Sequence, residues 1–239
     1  MNSLTIARRE IGAAFESPSG WAVLAFFPAA AAAFFFLLGP FFAAGEASLR
    51  GFFGNIPWLM ALVAPALTMR SWAEERRAGT EELLLTWPFR VRELVWGKFL
   101  GAWAVLALGL LATIGVPLSV GALGDLDLGP VIGGYLGALL CGGASLAVGL
   151  LFSACTRSQI VAWLAAVAAL TVLNLIGLAA TAEAMPPALG RVLIEMDLQA
   201  RFHAIARGVV DLRSLLHYAL LSALALCGTG LIIERRRFA

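Results

Sequence analysis

The chain has 239 residues, of which 61% are hydrophobic and 13% charged, with a formal net charge of +2. A soluble domain carries about 25% charged residues and about 45–50% apolar ones, so this composition excludes an ordinary soluble enzyme and points to a polytopic membrane protein. The near-neutral balance leaves no basic footprint for nucleic acid.

Residues 1–17 come first. Leu4, Ile6, Ile11 and Phe15, interleaved with Arg8, Arg9, Glu10 and Glu16, predict a helix lying in the membrane interface. A spanning helix needs about 20 mostly apolar residues. Six runs qualify: Trp21 to about Ala44, about Phe52 to Met69, about Leu94 to Val120, about Val131 to Phe152, about Ile160 to Ala180, and about Leu215 to Ile233. The first is too long for the apolar core of about 7–15 residues in a signal peptide and reads as a retained span. The fold expected is an all-α membrane domain over residues 1–239.

Between spans two and three lies a charged island, Arg70 to Pro88, the longest and most structured polar segment next to the membrane. Glu74, Glu75, Arg76 and Arg77 carry alternating pairs of charge that support a helix at i,i+3 spacing. Gly79 ends that helix, because glycine readily takes the positive φ of a C-terminal cap. Thr80 then suits an N-cap, with Glu81 and Glu82 where the helix dipole favours acids. Leu83, Leu84 and Leu85 load the short helix with apolar surface, and Pro88 terminates it. Arg90, Arg92 and Lys98 flank the start of span three. Such a helix either rests on lipid or docks a cytoplasmic partner.

Two further polar pieces remain. One is the turn Ser153 to Gln159. The other is the external stretch from Thr181 to Ser214, where Leu189, Val192, Leu193 and Met196 against Arg191, Glu195 and Gln199 predict an amphipathic or partly re-entrant helix.

Lysine and arginine set the orientation. With the N-terminus inside, 12 of the 17 Lys and Arg residues fall on the cytoplasmic side: Arg8, Arg9, Arg70, Arg76, Arg77, Arg90, Arg92, Lys98, Arg157, Arg235, Arg236 and Arg237. Arg50, Arg191, Arg201, Arg207 and Arg213 fall outside. Six spans then return the C-terminus to the cytoplasm.

No acidic or basic residue falls in the middle of a predicted span, which argues against a proton- or sodium-driven carrier. Asn174 is the clearest polar residue at depth and is expected to bond between helices. The three cysteines, Cys141, Cys155 and Cys227, are widely spaced and read as packing residues, not a metal or disulfide set. There is no H-E-x-x-H, no G-x-S-x-G and no Walker phosphate loop. No catalytic, metal-binding or cofactor-binding residue is therefore expected, and if ATP drives this chain another polypeptide binds it.

The island resembles the segment after span two in type-2 ABC transporter permeases: Glu74/Glu75, Arg76/Arg77, Gly79, Thr80, Glu82, Leu83, Leu84, Thr86 and Pro88 stand in the order of that family's motif. The resemblance covers essentially the whole chain, including the elbow, the six spans, the turn Ser153–Gln159 and the long external segment. Phe202, Arg207, Gly208, Asp211, Arg213 and Tyr218 are similar to a segment of gliding-motility (GldF-like) permeases and their copper-enzyme-maturation (NosY-like) relatives.

The resemblance implies an exporter-like permease in a bacterial inner membrane. Two permease chains, identical or related, would pair with two cytoplasmic ATPase subunits that carry ATP and magnesium, with an auxiliary membrane or periplasmic subunit as a further partner. Residues 74–88 would form a gate and coupling element, with Thr80 to Thr86 in a groove of the ATPase. Glu74, Glu75, Arg76 and Arg77 would link that contact to span two, and Thr156 and Arg157 would make a second contact. Phe202, Arg207, Gly208, Asp211 and Arg213 would form an external gate, with Gly208 as a hinge and Asp211 and Arg213 pairing locally. The alternative is a scaffold that passes ATPase-driven motion to an external partner without moving substrate. Trp87 departs from the aliphatic residue common in the family, and its indole suits the headgroup level as well as a partner.

Overall fold

Helix is the only regular structure among the described residues of the computed structural model, which are 3–39, 41–46, 48–80, 90–180, 186–208 and 211–237. In chain order the helices are α1 (Ser3–Glu16), α2 (Pro18–Ala33, continued by a π-helical turn at Phe34–Leu38), α3 (Phe41–Ala44), α4 (Arg50–Thr68) and α5 (Arg70–Ala78). There follow α6 (Val91–Ala112), α7 (Gly115–Leu123), α8 (Leu128–Cys155), α9 (Gln159–Ala180), α10 (Pro187–Met196), α11 (Leu198–Ala206) and α12 (Leu212–Arg237). Among the described residues, six helical stretches are long and apolar enough to cross a membrane: 20–38, 50–78, 91–123, 128–155, 159–177 and 212–236.

Local chemistry sets the helix ends. Ser17 Oγ accepts the Gly20 N–H at 3.2 Å, and Pro18 occupies the first turn of α2. Asp127 caps α8 through the Gly129 N–H at 3.0 Å, Asp197 caps α11 through Gln199 at 2.9 Å, and Asp211 caps α12 through Arg213 at 3.1 Å. The break between α6 and α7 falls at Thr113, whose hydroxyl folds back on the Leu110 carbonyl and meets the Tyr135 hydroxyl at 2.9 Å.

Helix α8 is the hub. Of its apolar stretch 72% is buried, against 22% for the first and fifth spans, so the first and fifth spans lie on the outside. Against α8 pack α4, α5, α6, α9, α11 and α12. Small residues make this possible, because in lipid helices associate by close backbone approach. A Cβ at Gly133 would collide with the Ile205 carbonyl, and one at Gly149 would collide with the Thr68 hydroxyl. The expected interhelical bond at Asn174 runs from its amide to the Pro57 carbonyl at 3.5 Å. Trp163 likewise donates to Leu62 O at 3.2 Å and Trp103 to Leu139 O at 3.1 Å.

The segment before the last span is not a flat surface helix. Helix α11 buries Leu198, Phe202 and Ile205, and Phe202 packs beside Gly137, which stands about 13 Å from the start of α8 at 1.5 Å per residue. Helix α11 therefore packs into the bundle, whereas α10, at the place of the expected amphipathic helix, keeps Val192, Ile194 and Met196 exposed. Residues 181–185 lie outside the described residues.

Candidate functional site

Helix α1 and the last turns of α12 reach the same end of the bundle, where Glu10 pairs with Lys98 and Arg236 donates to the Ala154 carbonyl. Helix α4 continues past Thr68 as α5, with Met69 still in the right-handed helical region. Thr68 bonds its own Ala64 carbonyl at 3.0 Å. The N–H groups of Trp72 and Ala73, in the first turn of α5, also find a partner outside their own helix. They donate to Ser153 Oγ of α8 at 3.1 and 3.2 Å, and that hydroxyl donates to Met69 O at 3.0 Å. A side chain inserted into the ladder is a recognised cause of a helix bend, and here it stitches α8 into the junction of α4 and α5.

Helix α5 buries Trp72 and Ala73 and closes at Gly79, whose φ of 72° is the predicted left-handed cap. The Thr80 hydroxyl donates to the Glu75 carbonyl at 3.2 Å, reinforcing that closure. Glu82, Leu83, Leu84, Thr86, Trp87 and Pro88 lie outside the described residues.

Lys98 of α6 does not flank its span; it is 4% exposed inside the helix. Its ammonium lies 2.7 Å from Glu75 Oε1 and 3.1 Å from Glu10 Oε1, and 5.0 Å from the centre of the Trp72 ring. Burial of a cation is tolerated only when it is paired and hydrogen-bonded, and here α1, α5 and α6 supply the whole set. The i,i+3 charge pairing expected within α5 thus gives way, at Glu75, to a tertiary ion pair.

Two glycines seat the third member. A Cβ at Gly97 would meet Ile6 Cβ at 2.6 Å, and one at Gly101 would meet Glu10 Cβ at 2.7 Å. The elbow α1 therefore lies on α6 with Ile6 and Ala7 buried, which carries Glu10 to Lys98. A cleft of about 280 Å³ opens beside the junction, lined by Arg9, Arg70 and Glu74 together with Ala66, Leu67 and Val105.

The second polar turn meets the first. Arg70 Nε donates to Gln159 Oε1 at 3.2 Å, and Arg76 donates to the Cys155 carbonyl at 3.5 Å. Thr156 folds its hydroxyl onto the Ser158 N–H at 2.9 Å, and Arg157 is exposed beside it. Glu74 and Arg77 are also exposed.

At the opposite end the expected gate residues separate into two roles. Phe202 is buried, and near it the Tyr218 hydroxyl donates to Leu198 O at 2.8 Å. Gly208 has φ +84° and lies against the backbone of Gly129, while Arg207 is exposed. Asp211 takes the backbone N–H of Arg213; the Arg213 guanidinium turns instead to Glu195 at 3.5 Å, which also pairs with Arg201.

Lys98, Glu10, Trp72, Ser153 and the pair Gly97 and Gly101 were not singled out as site residues by sequence reasoning. For Lys98 and its two glycines a signal was present: a lysine between glycines four apart, in a helix that from Leu94 onward is otherwise apolar, where an unpaired charge is costly and small residues mark a close partner.

An apolar groove of about 520 Å³ lies on the outside of the bundle between the first, second and fifth spans, lined by Val23, Phe26, Leu62, Ala66, Met69 and Trp163. It reaches Met69, where α4 passes into α5.

Together these features define a multi-pass integral membrane protein with an ion-paired junction at one end. A family profile described as ABC-2 family transporter protein matches residues 40–232, and the chain belongs to that family. It is thus the membrane component of an ABC transporter and not a nucleotide-binding domain, and the family associates with ATPase subunits. No curated protein matches the chain.

Proposed function

We propose that this chain is the permease subunit of an ATP-driven exporter of a bacterial inner membrane, two copies or two related chains pairing with two cytoplasmic ATPase subunits that bind ATP and magnesium. Both termini are cytoplasmic in this reading, because the end that holds them carries 12 of the 17 Lys and Arg residues.

The observation that carries the reading is the Lys98 junction. A push delivered through residues 80–88 reaches α5. Glu75 and Glu10 tie α5 to α6 and to the elbow, and Ser153 ties it to the central helix. Displacement of a small coupling segment is thereby shared among three spans. Glu74, Arg76 and Arg77 sit on the same lever, and Thr156 and Arg157 offer the second ATPase contact.

Transport is favoured over a passive scaffold by the groove between spans one, two and five, which supplies apolar surface for a paired permease and a path between them. At the far end Phe202, Arg207, Gly208, Asp211 and Arg213 cover the mouth of that path. Their order is the basis for the resemblance to the GldF-like and NosY-like subgroup, in which an auxiliary membrane or periplasmic subunit fits as a further partner.

The test is co-purification in mild detergent from native membranes, with mass spectrometry of what accompanies the chain. A stoichiometric ABC-type ATPase supports the reading. A chain that purifies alone in every detergent overturns it.

A further inference from the structure

At the end of the bundle opposite the termini, far from the Lys98 junction, a cavity of about 620 Å³ opens between the end of the first span, the start of α4 and α11. Its inner wall is aromatic. The last turn of the first span winds as a π-helix, Phe34–Leu38, a distortion that occurs often at functional sites. It presents Phe34 and Phe35, with Phe41 4.6 Å from Phe35 between ring centres, and Trp58 closes the other side.

The mouth carries charge of both signs. Glu46 and Arg50 both line the cavity and are exposed. None of the ion pairs among the described residues involves either of them. Leu37, Leu38 and Phe42 stand beside the opening at 72–79% exposure, which places it at the level where apolar surface meets lipid.

A cavity of some 300–1,000 Å³ with apolar walls and a few polar groups is the usual form of a ligand site. Guanidinium matches phosphate in geometry and charge. A carboxylate and aromatic ring faces attract an ammonium group. An anionic amphiphile would set its charge against Glu46, a cationic one against Arg50, and a free headgroup would leave the aromatic wall wet. We propose that this cavity binds a zwitterionic phospholipid, with phosphate on Arg50, ammonium on Glu46 and the surrounding rings, and acyl chains leaving past Leu38 into the bilayer. The site stands whether or not such a lipid is also cargo, and it does not depend on the ATPase partnership.

The experiment is native mass spectrometry of the complex as purified, exchanged into nanodiscs of phosphatidylcholine and phosphatidylglycerol in equal amounts, with soluble phosphocholine as a separate arm. The zwitterionic lipid is expected to be retained preferentially, in one copy per chain, and phosphocholine alone is not. Glu46→Gln and Arg50→Gln are each expected to lower retention about tenfold, the loss of one charged contact. Both side chains are exposed, so an unchanged melting temperature separates loss of binding from loss of fold. Equal retention of phosphatidylglycerol, capture of phosphocholine alone, or wild-type retention in both variants overturns the proposal.

Discussion

Lys98 Nζ lies 2.7 Å from Glu75 Oε1, joining the third span to the helix that extends the second. Both partners are far inside the protein, at 4% and 17% side-chain exposure, so the contact is neither a screened surface pair nor a decoration of the helix end. Glu10, at 24% exposure, is the junction's route to water.

This asymmetry makes a prediction. Lys98→Met leaves Glu75 without its counter-charge in a buried site, at a cost of about 3–5 kcal/mol. Adding Glu75→Gln removes the stranded charge, while Glu10 turns to solvent, so the double variant is expected to regain much of the loss. Thermal denaturation of the four members of the cycle in one detergent measures this. Strict additivity of the two single effects would show that the pair is not coupled.

The stitch at Ser153 has a different signature. Ser153→Ala removes the acceptor of two backbone N–H groups and the donor to Met69 O. A buried unsatisfied group costs about 1–3 kcal/mol, and the cost falls on α5 alone. Hydrogen exchange should accelerate at the Trp72 and Ala73 amides and stay unchanged in the middle of α8. Protected α5 amides in the variant would mean that the helix closes its own ladder without help.

Much of this architecture is legible in the sequence, and the reason is the bilayer. Six apolar runs give six spans because lipid offers no partner to an unpaired backbone group, and Gly79 ends α5 because a left-handed cap needs no more than its own residue. The junction is less legible because it is tertiary. Lys98 sits near Arg90 and Arg92 in sequence and reads as one more basic residue at a membrane boundary unless the glycines on either side of it are weighed; the seating of Ile6 and Glu10 on Gly97 and Gly101 shows that it faces inward. Ser153 carries no signal at all, since a serine at a span end bonds its own helix as readily as a neighbour.

The glycine seat can be tested against an internal control. Gly97→Leu drives side-chain atoms into Ile6 and is expected to cost about 1–3 kcal/mol by overpacking, with faster hydrogen exchange along α1. Gly12, on the same elbow, has open space where a Cβ would be. Gly12→Ala should therefore be neutral or stabilise by about 0.5–1 kcal/mol through helix propensity. Equal effects of the two substitutions would remove the seat from the account.

His203 on α11 supplies a pH dependence of known sign. Burial of the ring pulls its pKa below the ordinary 6.5; Asp197 opposes this and Arg207 adds to it. The folded protein thus prefers the neutral ring, and the unfolded chain takes up the proton first. Stability contributed by this residue is present above pH 6.5 and is lost as pH falls from 6.5 through the depressed folded pKa. Melting curves from pH 5 to 8 should show a slope over that range that shrinks in His203→Gln. An identical slope in the variant would assign the dependence to other groups.

The two ends of the molecule should fail differently. Glu82→Lys or Leu84→Arg, in the segment proposed to dock the ATPase, is expected to abolish ATP-dependent function and weaken ATPase co-purification while the spans keep their melting temperature. Gly208→Val acts at the other end, where φ is +84° and a Cβ would approach the Gly129 backbone to 3.3 Å. A β-branched residue there is strained by more than about 1 kcal/mol, so function should fall while the ATPase still co-purifies. Loss of ATPase binding in Gly208→Val would put α11 and the coupling segment on the same face and break the assigned topology. Full ATP-dependent function in the Glu82 and Leu84 variants would instead remove residues 80–88 from the coupling path, leaving the ion-paired junction at Lys98 as a structural clamp alone.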